Sequence, residues 1–225
     1  MKTLIVSLGG SVIVPERVDT IFLKKFRKTI LDFVKRGNRA VIVAGGGGTN
    51  KKYNAAANKV AKIKNIDLDW LGIATTKLNA ELLRVIFGEA AYLKVAVDPT
   101  RKIKTNKKII VAAGWMPGCS SDNDAVLWAK NFGAKKVINL SNIDYIYDKD
   151  PKKFKNARPL KDLKWAEYRK MVGSEWIPRM HAPFDPIASC LAEKWKMEVV
   201  IMKANRLDNF NNFLREKEFK GSVIK

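Results

Sequence analysis

Short apolar runs rich in β-branched residues alternate along the chain with longer segments whose apolar positions recur every three or four residues. Residues 4–8 and 40–44 are runs of the first kind, and each is followed by glycine. Residues 21–34 carry phenylalanine and isoleucine at helical spacing. Strands that alternate with amphipathic helices indicate βαβ units, so the pattern predicts an α/β fold with a mostly parallel sheet.

The same criteria predict the remaining elements. Helices are predicted at residues 49–63, 69–87, 122–132, 183–195 and 208–215, and strands at residues 109–113, 137–140, 198–202 and 222–224. Between residues 141 and 159 the chain is polar and interrupted by proline, and we expect a functional loop there because long connections often carry binding residues. No repeat or flexible linker divides the chain, so residues 1–225 are predicted to form a single domain.

Three glycine-rich turns each follow a predicted strand, at Gly9-Gly10-Ser11, residues 45–48 and residues 114–118. One such turn alone is more often only a tight bend. Loops that follow the strands of a parallel sheet gather at its carboxyl edge, however, so three of them would meet in one crevice. Glycines let backbone N–H groups approach phosphate oxygens closely, and a helix that starts directly afterwards adds its positive dipole end. The turns therefore predict a polyphosphate ligand.

The sequence argues against several common classes of protein. None of the turns is followed by Gly-Lys-Ser/Thr at Walker A spacing, and the first lacks the Gly-x-Gly-x-x-Gly pattern of a dinucleotide-binding fold. Cys119 and Cys190 lack metal-ligand or redox spacing, so no zinc site or disulfide framework is expected. The first apolar run is too short for a signal peptide and no stretch could span a bilayer, so we expect a cytoplasmic protein.

The charge narrows the partners only slightly. The chain has 43 Lys and Arg against 22 Asp and Glu, a net charge of +21. Such a field concentrates anions, which makes nucleotides and nucleic acids both candidate ligands. The chain lacks an arginine- and aromatic-rich groove motif, so nucleic acid is the less favoured partner.

Five segments in and around the turns carry specific sequences, at residues 7–15, 41–53, 69–79, 117–123 and 142–152. The last reads Asn-Ile-Asp-Tyr-Ile-Tyr and then Asp-Pro-Lys, and it is the most specific of the five. In sequence and in order the five segments resemble the amino acid kinase family, and within it the archaeal-type UMP kinases, over nearly the whole chain.

The resemblance implies a three-layer α/β/α sandwich and an ATP-dependent phosphotransferase that converts UMP to UDP. It implies an N-terminal lobe, about residues 1–113, that binds UMP, and a C-terminal lobe, about residues 114–225, that binds ATP. Mg²⁺ is expected to bind through the phosphates without protein metal ligands. A phosphate acceptor is already ionised at neutral pH, so no general base is required. A homo-oligomer, typically a hexamer, is expected from the family alone.

The resemblance also implies the site residues. Those implied for UMP are Gly45, Gly46, Gly47, Lys51, Asp69, Gly72, Pro117, Gly118, Ser120 and Ser121. Those implied for ATP are Gly9, Gly10, Ser11, Asn142, Asp144, Tyr147, Asp150 and Lys152. Asp122 and Lys51 are implied as catalytic residues. Asp122 also fits a plain helix N-terminus, and Lys51 fits a solvated helix face about equally well.

Two positions depart from the family pattern. Ser7 stands where a lysine usually neutralises the transferring phosphoryl group, and Tyr145 stands where the nucleotide loop has glycine. His181 lies far from the acceptor segment in the sequence, which favours a structural or surface role. Two alternatives remain open: another kinase of this fold acting on a different small phosphate or carboxylate, and a non-catalytic nucleotide- or oxoanion-binding protein.

Overall fold

The computed structural model describes residues 1–173 and 182–225. The strands are β1 (Thr3–Leu8), β2 (Arg39–Ala44), β3 (Ile109–Ala112), β4 (Lys136–Ser141), β5 (Ile146–Tyr147), β6 (Pro159–Leu160), β7 (Asp162–Leu163), β8 (Glu198–Lys203) and β9 (Ser222–Ile224). The helices are α1 (Gly10–Ile13), α2 (Thr20–Lys35), α3 (Gly47–Val60), α4 (Asn65–Phe87), α5 (Ser121–Phe132), α6 (Trp165–Val172), α7 (Pro186–Lys194) and α8 (Leu207–Leu214). None of the helices in this described part is long and apolar enough to cross a membrane.

A seven-stranded sheet runs through the molecule in the order β3-β2-β1-β4-β8-β9-β7. The strands from β3 to β8 are all parallel, whereas β9 runs antiparallel to β8. Strand β1 pairs with β2 in register from Thr3 with Arg39 to Leu8 with Ala44. Because the strand order reverses beside β1, a crevice opens at the carboxyl ends of β1 and β4.

Side chains of the parallel strands alternate between two hydrophobic cores. On one face, Val6 and Ile42 pack with helices α2, α4 and α8, and on the other face Ile5 and Val41 pack with α5, α6 and α7. Helices cover both faces, which explains why these strands are continuous apolar runs in the sequence. The predicted three-layer sandwich with a mostly parallel sheet is confirmed.

The predicted elements are present with shifted ends, and a few elements were missed. The helix predicted from residue 183 begins at Pro186, because the Asp185 side chain caps it by accepting a hydrogen bond from the Ala188 N–H. Helix α6 was not predicted, and the expected loop at residues 141–159 contains the short strand β5. His181 lies outside the described residues.

Phe26 on α2 joins three helices on one face of the sheet. Its buried ring stacks on Phe22 at 5.6 Å and on Phe210 of α8 at 6.4 Å, and it meets Phe87 of α4 edge-on at 6.5 Å. Aromatic pairs of this kind contribute beyond the area that they bury. Phe26 is therefore a main contact that holds α2, α4 and α8 together.

We predict that Phe26→Ala lowers the free energy of unfolding by about 3–5 kcal/mol, because it leaves a cavity where three helices meet. Ile21 lies on the same helix but is 72% exposed, so Ile21→Ala is the matched control and should change stability by less than about 0.5 kcal/mol. Urea denaturation measures both variants. Equal effects at the two positions would contradict the assigned role of Phe26.

Candidate functional site

The turns that follow β1 and β2 touch each other backbone to backbone. The Gly45 N–H donates to the Leu8 carbonyl at 2.9 Å, which continues the β1–β2 pairing into the turns. A Cβ added to Gly10 would lie 2.5 Å from the Gly45 carbonyl carbon and would collide with the Gly47 nitrogen. Gly47 also has a φ of +64°, a conformation that favours glycine. Only glycines allow the two turns to approach this closely.

The Asn79 side chain on α4 holds the second glycine turn in place through hydrogen bonds. Its side-chain Nδ2 donates to the carbonyl oxygens of Gly45 at 2.8 Å and Gly46 at 3.1 Å, and the Asn79 side chain is buried. Both carbonyl groups are thereby directed towards α4. Helix α3 begins directly after them, at Gly47. The turn is therefore fixed between the end of β2 and the side of α4.

The same helix also holds the third glycine turn. The Gly114 N–H donates to Thr76 Oγ1 at 2.8 Å, and the Gly118 N–H donates to Asp69 Oδ2 at 3.1 Å. Asp69, Thr76 and Asn79 are seven and three residues apart, so they lie along one side of α4. Helix α4 therefore connects the second and third turns.

A cavity of about 250 Å³ lies between these two turns. Its few convergent polar groups are typical of a site for a small molecule. Seven of the ten residues implied for UMP line it: Gly45, Gly46, Asp69, Gly72, Gly118, Ser120 and Ser121. Gly47, Lys51 and Pro117 do not line it, and Lys51 is exposed on α3. Asn50, Asn54, Thr76 and Asp124 also line the cavity, although no sequence motif had assigned them to a site.

Asp122 lies in the first turn of α5, above the carboxyl ends of β1 and β4. Its Oδ1 accepts hydrogen bonds from Ser7 Oγ at 2.8 Å and Asn139 Nδ2 at 2.9 Å. Its Oδ2 accepts one from the Asp185 backbone N–H at 3.3 Å. Because Ser7 belongs to β1 and Asn139 to β4, the carboxylate spans the point where the strand order reverses. The three donors hold it in one orientation.

Two carboxyl groups, those of Asp122 and Asp124, make this region acidic although the chain is strongly basic. Burial raises the pKa of Asp122 to about 6, and the charge of Asp185 adds to the rise while the Ser7 hydrogen bond opposes it. Burial likewise raises the pKa of Asp124 to about 8. Within residues 1–173 and 182–225, no Lys or Arg forms an ion pair with either carboxylate. Among the described residues, Asp122 is therefore stabilised by hydrogen bonds and not by a paired cation.

The residues implied for ATP lie on the other side of the crevice. The Gly9 N–H donates to the Leu140 carbonyl at 2.9 Å, which joins the first glycine turn to the end of β4. Ser11 and Asn142 are exposed on the turns that follow β1 and β4. The glycine turn and the loop after β4 thus lie next to each other.

Asp144 holds two basic side chains beside that loop. It accepts from Lys203 Nζ at 3.3 Å and pairs with Arg206 Nε at 2.9 Å. Both partners follow or end β8, so they lie at the same carboxyl edge as the glycine turns. Sequence reasoning missed Lys203 and Arg206, because they carry no motif and lie about 60 residues beyond Asp144.

The outer part of the loop forms a tight turn. Asp150 Oδ1 accepts a hydrogen bond from the Lys152 backbone N–H at 2.9 Å, and the Lys152 side chain is exposed. Tyr147 lies in β5 and its ring meets Tyr145 edge-on at 6.3 Å. Tyr145, where the family pattern has glycine, is thus packed against its neighbour.

The residues described hold no group of three or more histidine, cysteine, aspartate or glutamate side chains placed to bind a metal ion. Asp122, Asp124 and Asp185 lie in one region, but they do not form such a group.

Comparison with known proteins identifies the family. A sequence model of the amino acid kinase family matches residues 2–203. The chain belongs to the amino acid kinase family. It is 32% identical to the uridylate kinase of Methanoregula boonei, over 100% of this chain and 96% of that protein. It is 31% identical to the uridylate kinase of Sulfolobus acidocaldarius, over 90% of each.

Solved structures agree with this assignment. The crystal structure of uridylate kinase from Archaeoglobus fulgidus matches with a TM-score of 0.84 at 28% identity, and both chains are covered in full. The UMP kinase of Bacillus anthracis, at 17% identity and a TM-score of 0.80, shares the fold. This member of the amino acid kinase family therefore shares its fold with these kinases over the whole length of the chain.

We predict that Gly10→Ala lowers nucleotide affinity by about 100-fold, because the added methyl group separates the first two turns by a distance that misplaces their backbone donors. Gly88→Ala is the matched control: Gly88 has a φ of +54° and open space around it, so alanine there costs stability through backbone strain alone. Calorimetric titration with nucleotides checks affinity, and denaturation checks stability. Wild-type affinity in Gly10→Ala would show that the close contact between the turns is dispensable.

Proposed function

We propose that this protein transfers the γ-phosphoryl group of ATP to UMP, giving ADP and UDP. The observation that carries the proposal is the cavity between the second and third glycine turns, beside the β1–β4 crevice, in a chain that matches uridylate kinases over nearly its full length. That placement supports two phosphate-bearing ligands lying end to end, one in the cavity and one in the crevice.

In this proposal the acceptor occupies the cavity. Backbone N–H groups of the second glycine turn and the hydroxyl groups of Ser120 and Ser121 bind its phosphate, and Asp69 and Gly72 on α4 lie along its nucleoside. Gly45 belongs to the N-terminal lobe and Ser120 to the C-terminal lobe, with the boundary near residue 113. The acceptor phosphate would therefore lie where the two lobes meet, which is where transfer must occur.

ATP lies along the carboxyl ends of β4 and β8. Gly9 and Gly10 bind its terminal phosphates through their backbone, and Lys152 reaches the phosphates from the loop. Lys203 and Arg206, which Asp144 holds at this edge, supply further positive charge near the nucleotide. The arrangement gives ATP a basic edge and leaves the acidic floor to Asp122.

Alignment and charge stabilisation account for the chemistry. A phosphate oxygen of UMP is already ionised, so the protein has to position two phosphates in line and stabilise the charge that spreads over the transferred group. An ionised Asp122 would repel a phosphate that touched it directly, so its effect requires a cation between them. Mg²⁺ bound to the ATP phosphates would offset their charge there, and Asp122 with its three donors is placed to orient the phosphate-bound cation. Asp122 is thus a positioning residue.

Oligomerisation forms part of the proposal by family resemblance alone. Members of the family typically form hexamers, and we infer a homo-oligomer of the same kind.

We predict that ADP release with UMP exceeds release with CMP, isopentenyl phosphate or carbamate by at least about tenfold, because polar groups of a site that pair with one acceptor are left unpaired by another. A coupled assay across these acceptors measures it. Preference for another acceptor would favour a different kinase of this fold. Tight binding of ATP and UMP without ADP release would instead identify a non-catalytic nucleotide-binding protein.

We predict that Asp122→Asn lowers turnover by about 100-fold or more while ATP binding remains measurable, because the variant removes the charge that orients the cation. The ratio of wild-type to variant turnover should fall as the pH drops through about 6, where Asp122 takes up its proton, and the ratio cancels the ionisation of UMP, whose second pKa is also near ~6. Asp208→Asn, an exposed aspartate in the first turn of α8, is the matched control. An unchanged pH profile in Asp122→Asn would rule out the positioning role.

A further inference from the structure

A second cavity, of about 500 Å³, lies at the amino ends of β1 and β4 and is termed the amino-edge cavity. Thr3 and Leu4 at the start of β1 and Lys136 at the start of β4 line it, whereas glycine turns and loops follow the other ends of these strands. Residues rise by about 3.3 Å along a strand, so the length of β1 separates this cavity from the first glycine turn by roughly 16 Å. The amino-edge cavity is therefore distinct from the crevice and from the acceptor cavity.

The walls of the amino-edge cavity are apolar. Leu4, Phe33 and Ile138 are buried members of the core, and Phe213 and Phe219 pack against that core. The rings of Phe213 and Phe219 meet edge-on with their centroids 5.1 Å apart. Sites for small molecules typically have such walls, with few polar groups and a volume of about 300–1,000 Å³. Because these walls are part of the packed core, the cavity is preformed.

The mouth of the cavity is lined by charged side chains, namely those of Lys2, Lys136, Lys217 and Glu216. Lys2 pairs with Glu216, and Lys136 Nζ pairs with Glu198 at 2.7 Å. Lys217 is exposed and forms no ion pair within residues 1–173 and 182–225. One positive charge at the mouth, that of Lys217, is therefore left without a counter-charge.

Lys136 brings positive charge and an aromatic wall together. Its Nζ lies 5.6 Å from the centroid of the Phe213 ring. An ammonium group has three N–H donors, so its pairing with Glu198 leaves others for a further acceptor. An anionic group bound there would lie directly beside the apolar wall.

Other lysines surround the same edge of the sheet. Lys108 precedes β3, Lys135 precedes β4 and Lys196 precedes β8, and all three are exposed. These strands are parallel, so the residues that precede them lie at one edge. A basic surface of this kind raises the local concentration of anions near the cavity.

The turn after α8 holds Glu216 and Lys217 at the mouth. Glu216 has a φ of +57°, a left-handed conformation that favours glycine. The Glu216 N–H donates to the Phe213 carbonyl at 3.0 Å, and the Lys217 N–H donates to the Asn212 carbonyl at 2.9 Å. Glycine would relieve the backbone strain but would remove the carboxylate that pairs with Lys2. The turn therefore keeps a strained residue whose side chain neutralises Lys2, while the neighbouring Lys217 stays available.

The walls and the charges together define the ligand. Among the described residues that line the cavity, Thr3 alone has an uncharged polar side chain. A nucleobase would leave several donors and acceptors unpaired against such walls, which is costly. A fully apolar molecule would leave Lys217 unused. The surroundings favour an apolar chain or ring that carries one negative charge.

We propose that the amino-edge cavity binds a small amphipathic carboxylate. Its apolar body lies against Phe33, Phe213 and Phe219, and its carboxylate group binds Lys217 and Lys136 at the mouth. A monoanion matches the single positive charge that has no counter-charge. The inference does not rest on the proposed function, because it concerns a separate cavity and its test measures binding without phosphoryl transfer.

The first experiment compares three molecules with the same eight-carbon chain, namely octanoate, octanol and octylamine, by calorimetric titration at pH 7. Octanoate should bind with one molecule per chain and most tightly, octanol more weakly, and the positively charged octylammonium most weakly. Raising the salt concentration from about 0.05 M to about 0.5 M should weaken octanoate and leave octanol unchanged, because salt screens charges at the exposed mouth. Saturating ATP and UMP should not displace octanoate.

Variants then locate the binding site. Lys217→Gln should lower octanoate affinity by about twofold to fivefold and leave octanol affinity unchanged, since an exposed ion pair contributes modestly. Lys220→Gln, an exposed lysine that does not line the cavity, is the matched control. Leu214→Trp fills the cavity and should lower the affinity for both molecules by about tenfold or more, whereas Leu93→Trp, at a residue that is 74% exposed, should not. Thermal denaturation confirms that each variant is folded, and the exposed Lys217→Gln decides the matter if Leu214→Trp does not fold.

Four results would overturn the inference: no binding of octanoate, octylammonium that binds as tightly as octanoate, wild-type octanoate affinity in Lys217→Gln, or displacement of octanoate by ATP and UMP. Displacement would place the chain in the nucleotide site instead. A protein that binds octanoate in this way but does not phosphorylate UMP would refute the proposed function and leave the amino-edge cavity as assigned.

Discussion

The site depends on the contact between the backbones of two turns. Strands β1 and β2 are in parallel register up to Leu8 and Ala44, so the chains leave the sheet side by side. Gly10 and Gly47 then allow main chain to meet main chain without an intervening side chain. Any Cβ at Gly10 would separate the turns, and the sheet register would no longer determine where their N–H groups point. The central strand pair therefore determines how the two glycine turns meet at the sheet edge.

Helix α4 extends that constraint to the third turn. The Asn79 side chain donates hydrogen bonds to carbonyl groups of the second turn. Thr76 and Asp69 accept hydrogen bonds from backbone N–H groups of the third turn. These bonds satisfy backbone groups that would otherwise be unpaired beside a cavity, which is why they hold the turns firmly. The cavity is consequently formed by the second and third turns together with helices α3, α4 and α5, and its shape follows from the packing of secondary structure.

The sheet could be predicted from the sequence because its strands are buried on both faces and are therefore continuous apolar runs. The hydrogen-bond partners of Asp122 could not be predicted. The partners of Asp122 are 115, 17 and 63 residues away in Ser7, Asn139 and Asp185, and none belongs to a motif that names a carboxylate partner. Helix α6 was missed for a similar reason, since its eight residues depend on tertiary bonds such as that from Tyr168 Oη to the Phe184 carbonyl at 2.7 Å. The glycine turns could be predicted because glycine is needed where two backbones approach closely or where φ is positive.

The chain is basic as a whole, whereas the buried part of the site carries carboxyl groups. The chain has a net charge of +21, and two of its cations, Lys203 and Arg206, pair with Asp144 beside the end of β8. The carboxyl groups of Asp122 and Asp124 lie deeper, where burial makes each charge costly. A phosphate can approach such groups only with a cation or a proton in between. In the proposed function, the cation that accompanies ATP would lie between Asp122 and the phosphates.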